Sequence, residues 1–363
     1  MTKLFKQEWL LLIGFLAVTV FKSQWNQVLQ GELFSFYGLL VSSFLFIVVL
    51  ATIFAVVRHS DALAIKLGDP YGTLILTLSV ITLEVVMISS IMVTGDPNPV
   101  LARDTMFAVI MAVLNGLVGI TLLIGGIKYR TQKYNVDGIK SYLIGIIPLA
   151  LLCLVMPNFT SSDEFGSMSL AMTGTLIIAS IGLYCTFLFI QTRSHTHFFI
   201  DKNHLVEDED HGPLGSNFYH SFFLIAYLMV IILLSKSFAI PVEVGIEFLD
   251  APIAFGGLIV ALLVLAPEAV GAIKAALNNQ LQRAMNLFFG SVLATIALTV
   301  PTVILISYVI NQPLQLGLAN AEMVLLCTTL MMTAVSFSSG RTNSLNGVAH
   351  LILFVAYIIL MFE

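Results

Sequence analysis

Eleven apolar stretches, each close to the length needed to cross a lipid bilayer, run through almost the whole of this 363-residue chain. They are 8–22, 33–57, 71–94, 104–127, 139–157, 168–191, 217–237, 251–277, 285–310, 320–338 and 345–362. A transmembrane helix needs about 20 apolar residues, and only helices and closed barrels satisfy all backbone hydrogen bonds inside lipid. The sequence shows no alternating barrel pattern. It therefore predicts an all-α polytopic membrane protein with about 11 transmembrane helices, surrounded by membrane lipid.

The composition agrees with a membrane location. Hydrophobic residues make up 58% of the chain and charged residues only 10%, against about 25% charged residues in a soluble domain. The three cysteines (Cys153, Cys185, Cys327) fall inside apolar stretches without the spacing of a metal site, so we expect them to be small packing residues. We expect no nucleic-acid partner, and the sequence leaves the oligomeric state open.

The basic residues predict the orientation of the helices. Thirteen of the sixteen lysines and arginines fall on the side of the membrane that holds the N-terminus, and only Lys22, Arg103 and Lys236 fall on the other side. Because cytoplasmic loops carry the excess of basic residues, the N-terminus is predicted to be cytoplasmic. With eleven spans, the C-terminus is then periplasmic or extracellular.

The longest polar segment divides the predicted helices into two groups of five. This segment, 192–216, is a cytoplasmic linker between a first repeat at 32–191 and a second repeat at 217–363, and residues 1–31 form one extra N-terminal helix. Each group has an odd number of spans, so the two groups must cross the membrane in opposite directions. A 5+5 inverted repeat of this kind is typical of secondary transporters.

Two glutamates, Glu84 and Glu268, lie near the middle of predicted spans and half a chain apart. An ionised side chain at the centre of a membrane helix costs about 2.5–3.5 kcal/mol, so an acid there indicates function. Pro267, next to Glu268, lacks an N–H and frees the carbonyl of Leu263, which could face a cation. The half-chain spacing predicts that two repeated units meet at one ion site.

Polar residues follow each glutamate in the next predicted helix. Asn115 is in the span that comes after Glu84, and Ser291 is in the span that comes after Glu268. Their side-chain oxygens are candidate ligands, although close helix packing could also explain the serine. We assign supporting roles to Thr82, Pro267, Asn279 and Thr295. His350, the one histidine well inside a predicted span, is expected to be a packing residue or a minor polar contact.

Several segments resemble the calcium:cation antiporter superfamily, and most closely its cation/proton exchanger branch. The stretch Pro267 to Ile273, followed by Asn279 and Gly290-Ser291, is similar to the second α-repeat of that superfamily, and 68–73, which leads into Glu84, is similar to the first. The resemblance implies a bacterial inner-membrane protein that exchanges Ca²⁺, and in related bacterial members also Na⁺ or K⁺, for protons. It also implies that Glu84 and Glu268 bind the cation and the protons, with no cofactor beyond the transported ions.

The chain departs from the pattern of that branch at four positions. Ile81 and Leu265 stand where asparagine usually precedes each glutamate, Ala269 replaces a histidine, and Ala294 replaces a glutamine. The site is therefore poorer in side-chain oxygens than its relatives, whereas Ca²⁺ takes 6–8 oxygen ligands. Backbone carbonyls and water supply the rest, or a monovalent cation is also accepted.

Two acids suffice for an antiport mechanism. Burial and mutual repulsion favour protonation of both carboxyl groups, whereas a bound cation favours the ionised pair, so protons and cation compete. The alternatives are an exchanger of the same fold driven by Na⁺ and, in a different class, a polytopic membrane enzyme. The chain lacks the His-Glu-x-x-His motif of membrane metalloproteases, and a passive channel suits inverted repeats less well. We therefore expect a transporter and not an enzyme.

An acidic run in the predicted linker is a candidate regulatory segment. It comprises Glu207, Asp208, Glu209, Asp210 and His211. Clustered acids and a histidine could sense Ca²⁺ or pH, but a solvated linker has the same composition and the spacing is not that of an EF-hand. The sequence leaves both interpretations open.

Overall fold

The computed structural model describes residues 8–31, 33–68, 71–94, 98–160, 168–200, 215–311 and 313–363. These residues are almost entirely helical. The α-helices are α1 (Trp9–Val20), α2 (Asn26–Gly31), α3 (Phe36–Leu67), α4 (Tyr71–Thr94), α5 (Leu101–Met111), α6 (Val118–Tyr129), α7 (Val136–Leu154), α8 (Leu170–Phe189), α9 (Asn217–Phe248), α10 (Ile253–Leu277), α11 (Leu281–Ala294), α12 (Val300–Ile310), α13 (Asn320–Ser336) and α14 (Ser344–Met361). Two short strands, β1 (Gln132–Lys133) and β2 (Arg341–Thr342), pair antiparallel.

Each of the eleven predicted apolar stretches coincides with a helix. Within the described ranges, eight helices are long and apolar enough to cross a membrane, and the remaining predictions correspond to shorter apolar helices at Trp9–Ser23, Thr77–Ser90 and Asn320–Ser336. The all-α polytopic class is therefore confirmed, while the number of eleven crossings stays a prediction.

Two helices are longer than their apolar stretches predict. Both α3 and α9 contain 32 residues. The apolar stretch ends near the first charged residue, whereas the helix continues beyond it until a capping signal stops it. Ser35 begins α3 by accepting a hydrogen bond from the N–H of Gly38 at 2.9 Å, and Gly68 ends it with φ of 63°. Ser216 begins α9 in the same way, through the N–H of Tyr219 at 3.1 Å.

The chain forms two compact units, and each takes segments from both halves of the sequence. The first unit consists of Met1–Asn98 and Asp208–Pro267, and the second consists of Pro99–Glu207 and Glu268–Glu363. The boundary inside α10 falls between Pro267 and Glu268. The inverted repeats at 32–191 and 217–363 remain a prediction from the sequence.

The first unit has one continuous apolar core. It contains side chains from α1, α3, α4, α9 and the first part of α10, such as Leu45, Ile53, Leu83, Tyr227 and Leu263. Since lipid is as apolar as these side chains, the packing between helices depends on close van der Waals contact more than on the exclusion of water.

In the second unit, the β1–β2 pair limits the membrane topology. Gln132 lies opposite Thr342, and Lys133 lies opposite Arg341. Both strands must therefore be on the same side of the membrane, so the chain crosses the membrane an even number of times between them. The sequence predicts six crossings in this interval, in agreement with the pairing.

Close packing of α6 against α14 depends on glycine. A Cβ atom at Gly347 would lie 2.5 Å from the backbone nitrogen of Leu123 and 2.8 Å from the carbonyl oxygen of Gly119. Backbone atoms cannot turn away as a side chain can, so the helices would have to separate. Small residues at such contacts let two helix backbones approach closely.

We expect Gly347→Ala to lower the free energy of unfolding by about 1–3 kcal/mol, as overpacking does. Thermal unfolding in detergent measures the change. Gly174→Ala in α8 is the matched control, because nothing lies within 4 Å of a Cβ atom at that position and alanine is the better helix former. Equal melting temperatures for the two variants would contradict a tight contact between α6 and α14.

Candidate cation site

Glu84 lies in the first unit, on a buried face of α4. Its side chain is 3% exposed, and its helical neighbours Val80, Ile81, Met87 and Ile88 are buried as well. The helix packs against α3 and α9. The burial of all five side chains shows that this face of α4 points into the first unit.

Thr82 has a partner within its own helix. Its hydroxyl group donates to the carbonyl oxygen of Leu78 at 2.6 Å. Because each residue of an α-helix is rotated by about 100° from the one before, Thr82 points well away from the direction of Glu84. Its predicted supporting role would therefore have to act through the backbone of α4.

Glu268 lies in the second unit and is half-buried. It follows Pro267 in the middle of α10, which continues through the proline from Ile253 to Leu277 without a break. A proline inside a helix leaves the carbonyl four residues earlier without its usual N–H donor, and here that residue is Leu263. The helix thus offers a carbonyl oxygen about one turn before the carboxylate while remaining continuous.

The helices that follow the two glutamates each contain a π-helical turn. One turn is Ala112–Leu117, between α5 and α6, and the other is Thr295–Thr299, between α11 and α12. The interval between the starts of the two turns is almost the same as the interval between the two glutamates. Such turns are rare and are frequently found at functional sites. No residue type marks them in the sequence, but their spacing matches the duplication that the glutamates suggest.

Asn115 lies within the first π-helical turn and is completely buried. Its amide nitrogen donates to Thr329 Oγ1 at 2.8 Å and to Met111 Sδ at 3.4 Å. Its amide oxygen lies 3.3 Å from His350 Nδ1. Since that oxygen can only accept, His350 Nδ1 carries the hydrogen. The oxygen that the sequence assigns to a cation therefore already has a protein donor.

His350 has a larger role than the sequence suggests. It is fully buried, and its Nε2 atom lies 3.1 Å from Ser336 Oγ, which is on α13. It thus connects α14 to both the π-helical turn of Asn115 and the end of α13. A buried polar network of this kind rigidifies the helices that share it.

The other predicted site residues lie in the second unit. Ser291 is buried in α11, and Thr295 is buried as the first residue of the second π-helical turn. Asn279 lies between α10 and α11 with φ of 61°, and its side-chain oxygen accepts from Gln132 Nε2 at 3.2 Å. Asn279 therefore supports the turn between the two helices. The acidic run 207–211 lies outside the described residues.

Within the part of the chain that the structure describes, no three histidine, cysteine, aspartate or glutamate side chains form a group suited to hold a metal ion. A transported cation needs only transient ligands, and carbonyl, hydroxyl and water oxygens commonly supply most of them.

The fold and these residues define a class of membrane protein that sequence comparison also identifies. Residues 35–193 and 220–363 match the family described as sodium/calcium exchanger protein. The chain therefore belongs to this family of membrane cation exchangers, as its resemblance predicts. Residues 8–31, which contain α1 and α2, precede the match.

Two individual bacterial proteins are similar to this chain over most of its length. The chain is 49% identical over 319 residues to the sodium-potassium/proton antiporter ChaA of Escherichia coli (strain K12), covering 86% of each chain. It is 23% identical over 324 residues to the Ca(2+)/H(+) antiporter ChaA of Bacillus subtilis (strain 168), covering 88% of this chain and 91% of the relative.

Two solved structures share the fold. Native YfkE aligns with a TM-score of 0.70 at 18% identity, over 89% of this chain and 92% of its own. The H⁺/Ca²⁺ exchanger CAX aligns with a TM-score of 0.66 at 12% identity, over 99% of this chain and 88% of its own.

Proposed function

We propose that this chain is an antiporter of the bacterial inner membrane that exports Ca²⁺, and also Na⁺ or K⁺, in exchange for protons. The observation that carries the proposal is the 49% identity, over 86% of both chains, with a protein named as a sodium-potassium/proton antiporter. The B. subtilis relative, named as a Ca²⁺/H⁺ antiporter, supports the inclusion of Ca²⁺.

In this proposal, Glu84 and Glu268 bind cation and protons in turn. The burial of Glu84 and the position of Glu268 beside a helix proline support these roles. Two protons, or one divalent cation, neutralise two carboxylates equally well. An empty site with two ionised carboxylates is costly in a low-dielectric region. The protein therefore switches the side of the membrane to which the site opens only when protons or a cation are bound. Release of a cation is thereby coupled to uptake of protons.

The topology belongs to the same proposal. The N-terminus is cytoplasmic and the C-terminus periplasmic, the two repeats are inverted, and the acidic run 207–211 lies on the cytoplasmic side. The excess of basic residues on one side of the predicted membrane supports this orientation.

Everted membrane vesicles from a host that lacks its own cation antiporters test the function. Respiration acidifies the vesicles, and a fluorescent dye reports the proton gradient. We expect Na⁺, K⁺ and Ca²⁺, added singly, to dissipate the gradient in vesicles that contain this protein but not in control vesicles. Ca²⁺ movement driven by a Na⁺ gradient alone, with no effect of any cation on the proton gradient, would overturn proton coupling and favour the Na⁺-driven alternative.

A further inference from the structure

A buried acid outside the proposed cation site connects three segments of the first unit. Glu8, immediately before α1, is only 5% exposed. Its carboxylate accepts hydrogen bonds from Arg58 Nη2 at 2.8 and 3.0 Å, from the Tyr219 hydroxyl at 2.7 Å and from the Tyr227 hydroxyl at 2.8 Å. Arg58 is on α3 and both tyrosines are on α9. The carboxylate therefore fixes the start of α1 to these two long helices.

Glu8 remains ionised at every physiological pH. Burial by itself would raise its pKa, but hydrogen bonds from His59, Tyr219 and Tyr227 and the charge of Arg58 outweigh burial and lower the pKa from 4.5 to about 2. A carboxyl group with a lowered pKa stabilises the fold above its ordinary pKa and loses that effect only as the pH falls towards the lowered value. Glu8 is thus a permanent acceptor and does not sense pH in the physiological range.

Beside this carboxylate, two histidines share one hydrogen. His59 Nδ1 on α3 lies 3.0 Å from His220 Nδ1 on α9. At this distance only one of the two nitrogen atoms can carry a hydrogen, which it donates to the other. His59 Nε2 lies 3.3 Å from the Glu8 carboxylate, which accepts a hydrogen from it. His59 Nδ1 is then the acceptor, and His220 Nδ1 is the donor.

This arrangement leaves His220 Nε2 as a bare nitrogen. The atom is buried and has no hydrogen-bond partner in the part of the chain that the structure describes, and His220 as a whole is 7% exposed. The opposite tautomers, with Arg58 donating to His59 Nε2 across 3.2 Å, would leave a buried N–H on His220 without an acceptor among the described residues. Buried donors without a partner are rarer than buried acceptors, so the bare nitrogen is the favoured state.

The charges around the pair oppose an added proton. Arg58 and Lys66 on α3 are cationic, Glu8 is the anion that contacts His59, and Tyr219 and Tyr227 on α9 already donate to Glu8. Lys66 Nζ donates to the carbonyl oxygen of Gly215, close to His220 in sequence. A proton added to His220 Nε2 would thus create a buried cation whose new N–H has no acceptor among the described residues.

We propose that the His59–His220 pair is a second proton-binding site, in which one added proton on His220 Nε2 breaks the contact between α3 and α9. Among the described residues no acceptor faces the new N–H, so the protonated ring gains one by turning, and this movement separates it from His59. Histidine is the side chain whose ordinary charge change lies closest to neutral pH, so acidification is the condition that adds this proton.

The consequence reaches the helix that carries Glu84. Within the first unit, α4 packs against both α3 and α9, the two helices that the histidines join. The start of α1 is attached to the same two helices through Glu8. Proton binding at the pair therefore changes the packing of α3 and α9 against α4, without any proton reaching Glu84.

Tryptophan fluorescence of the purified, full-length protein tests the proposal independently of transport. The chain has two tryptophans, and Trp9, next to Glu8, is 60% exposed. In a Trp25→Phe background, we expect the emission of Trp9 to change as the pH is lowered, with a midpoint between about pH 4 and 6.5, on the acidic side of an ordinary histidine. His220→Gln, which cannot be protonated, should abolish this transition, and His220→Lys should show the low-pH emission at every pH.

His197→Gln is the matched control, because His197 is exposed and lies in the other unit; it should keep the transition of the parent protein. A parent protein with no transition in this range would overturn the proposal whether or not the variants fold. An unchanged transition in His220→Gln would overturn it as well. If the parent protein shows the Trp9 transition but no cation-dependent proton exchange, the result contradicts the proposed function and leaves the proton-binding proposal standing.

Discussion

Replacing Glu84 or Glu268 with glutamine should abolish cation-dependent proton exchange. Glutamine keeps the shape of glutamate but cannot release a proton or supply the negative charge that attracts a cation. In the proposed mechanism, both carboxylates bind protons and cation in turn. Each single replacement therefore removes the coupling of cation release to proton uptake, and does not merely weaken the affinity for the cation. The measurement is the dissipation of a proton gradient in everted vesicles after addition of Na⁺, K⁺ or Ca²⁺.

Two matched variants make this result specific. Glu84→Asp keeps a titratable group on a shorter side chain, so we expect reduced but measurable exchange. Glu247→Gln alters an exposed acid at the end of α9 and should behave as the parent protein. Antiport retained by Glu84→Gln or Glu268→Gln at normal expression would refute the role of that residue.

The second large effect is expected from Asn115→Ala. This change removes the acceptor of His350 Nδ1 and the donor to Thr329 Oγ1, both of which are completely buried. Each buried polar group left without its partner costs about 1–3 kcal/mol. Since two groups lose a partner, we expect the free energy of unfolding to fall by about 2–6 kcal/mol, measured by denaturant or thermal unfolding in detergent.

A double-mutant cycle with His350→Ala separates the network from simple loss of volume. If the two residues stabilise the protein through their hydrogen bond, the combined loss will be smaller than the sum of the single losses. Asn278→Ala, at an exposed position between α10 and α11, should change stability by less than about 0.5 kcal/mol. Additive effects at positions 115 and 350 would show that the bond between them contributes nothing.

Local properties of the chain were predictable to good accuracy. The apolar stretches coincide with the helices because the length of an apolar run and the need to satisfy backbone hydrogen bonds inside lipid are both local. The burial of Glu84 agrees with the cost of exposing an ionised side chain to lipid, which is also a local property of the span. The ends of α3 and α9 were predicted too early because hydropathy falls at the first charged residue, whereas a helix ends only at a cap such as Gly68.

Contacts between distant residues were not predictable. The hydrogen bonds of Asn115 are an example, because nothing in the sequence shows that Thr329, far along the chain, accepts from its amide group. The polar partners of His350, Asn115 and Ser336, are not predictable for the same reason. The π-helical turns are not predictable either, since no residue type marks them.

What the sequence alone determined is the class of protein: a polytopic helical exchanger with one candidate cation-binding glutamate in each half. The lengths of apolar stretches, the distribution of charges and the family motifs can all be read along the chain. None of them requires knowing which helices pack against each other. Only the tertiary structure decided which polar groups share hydrogen bonds, as Glu8 does with Tyr227 from the other half of the sequence. A hydrogen bond depends on positions within a few tenths of an ångström, and helix packing sets those positions.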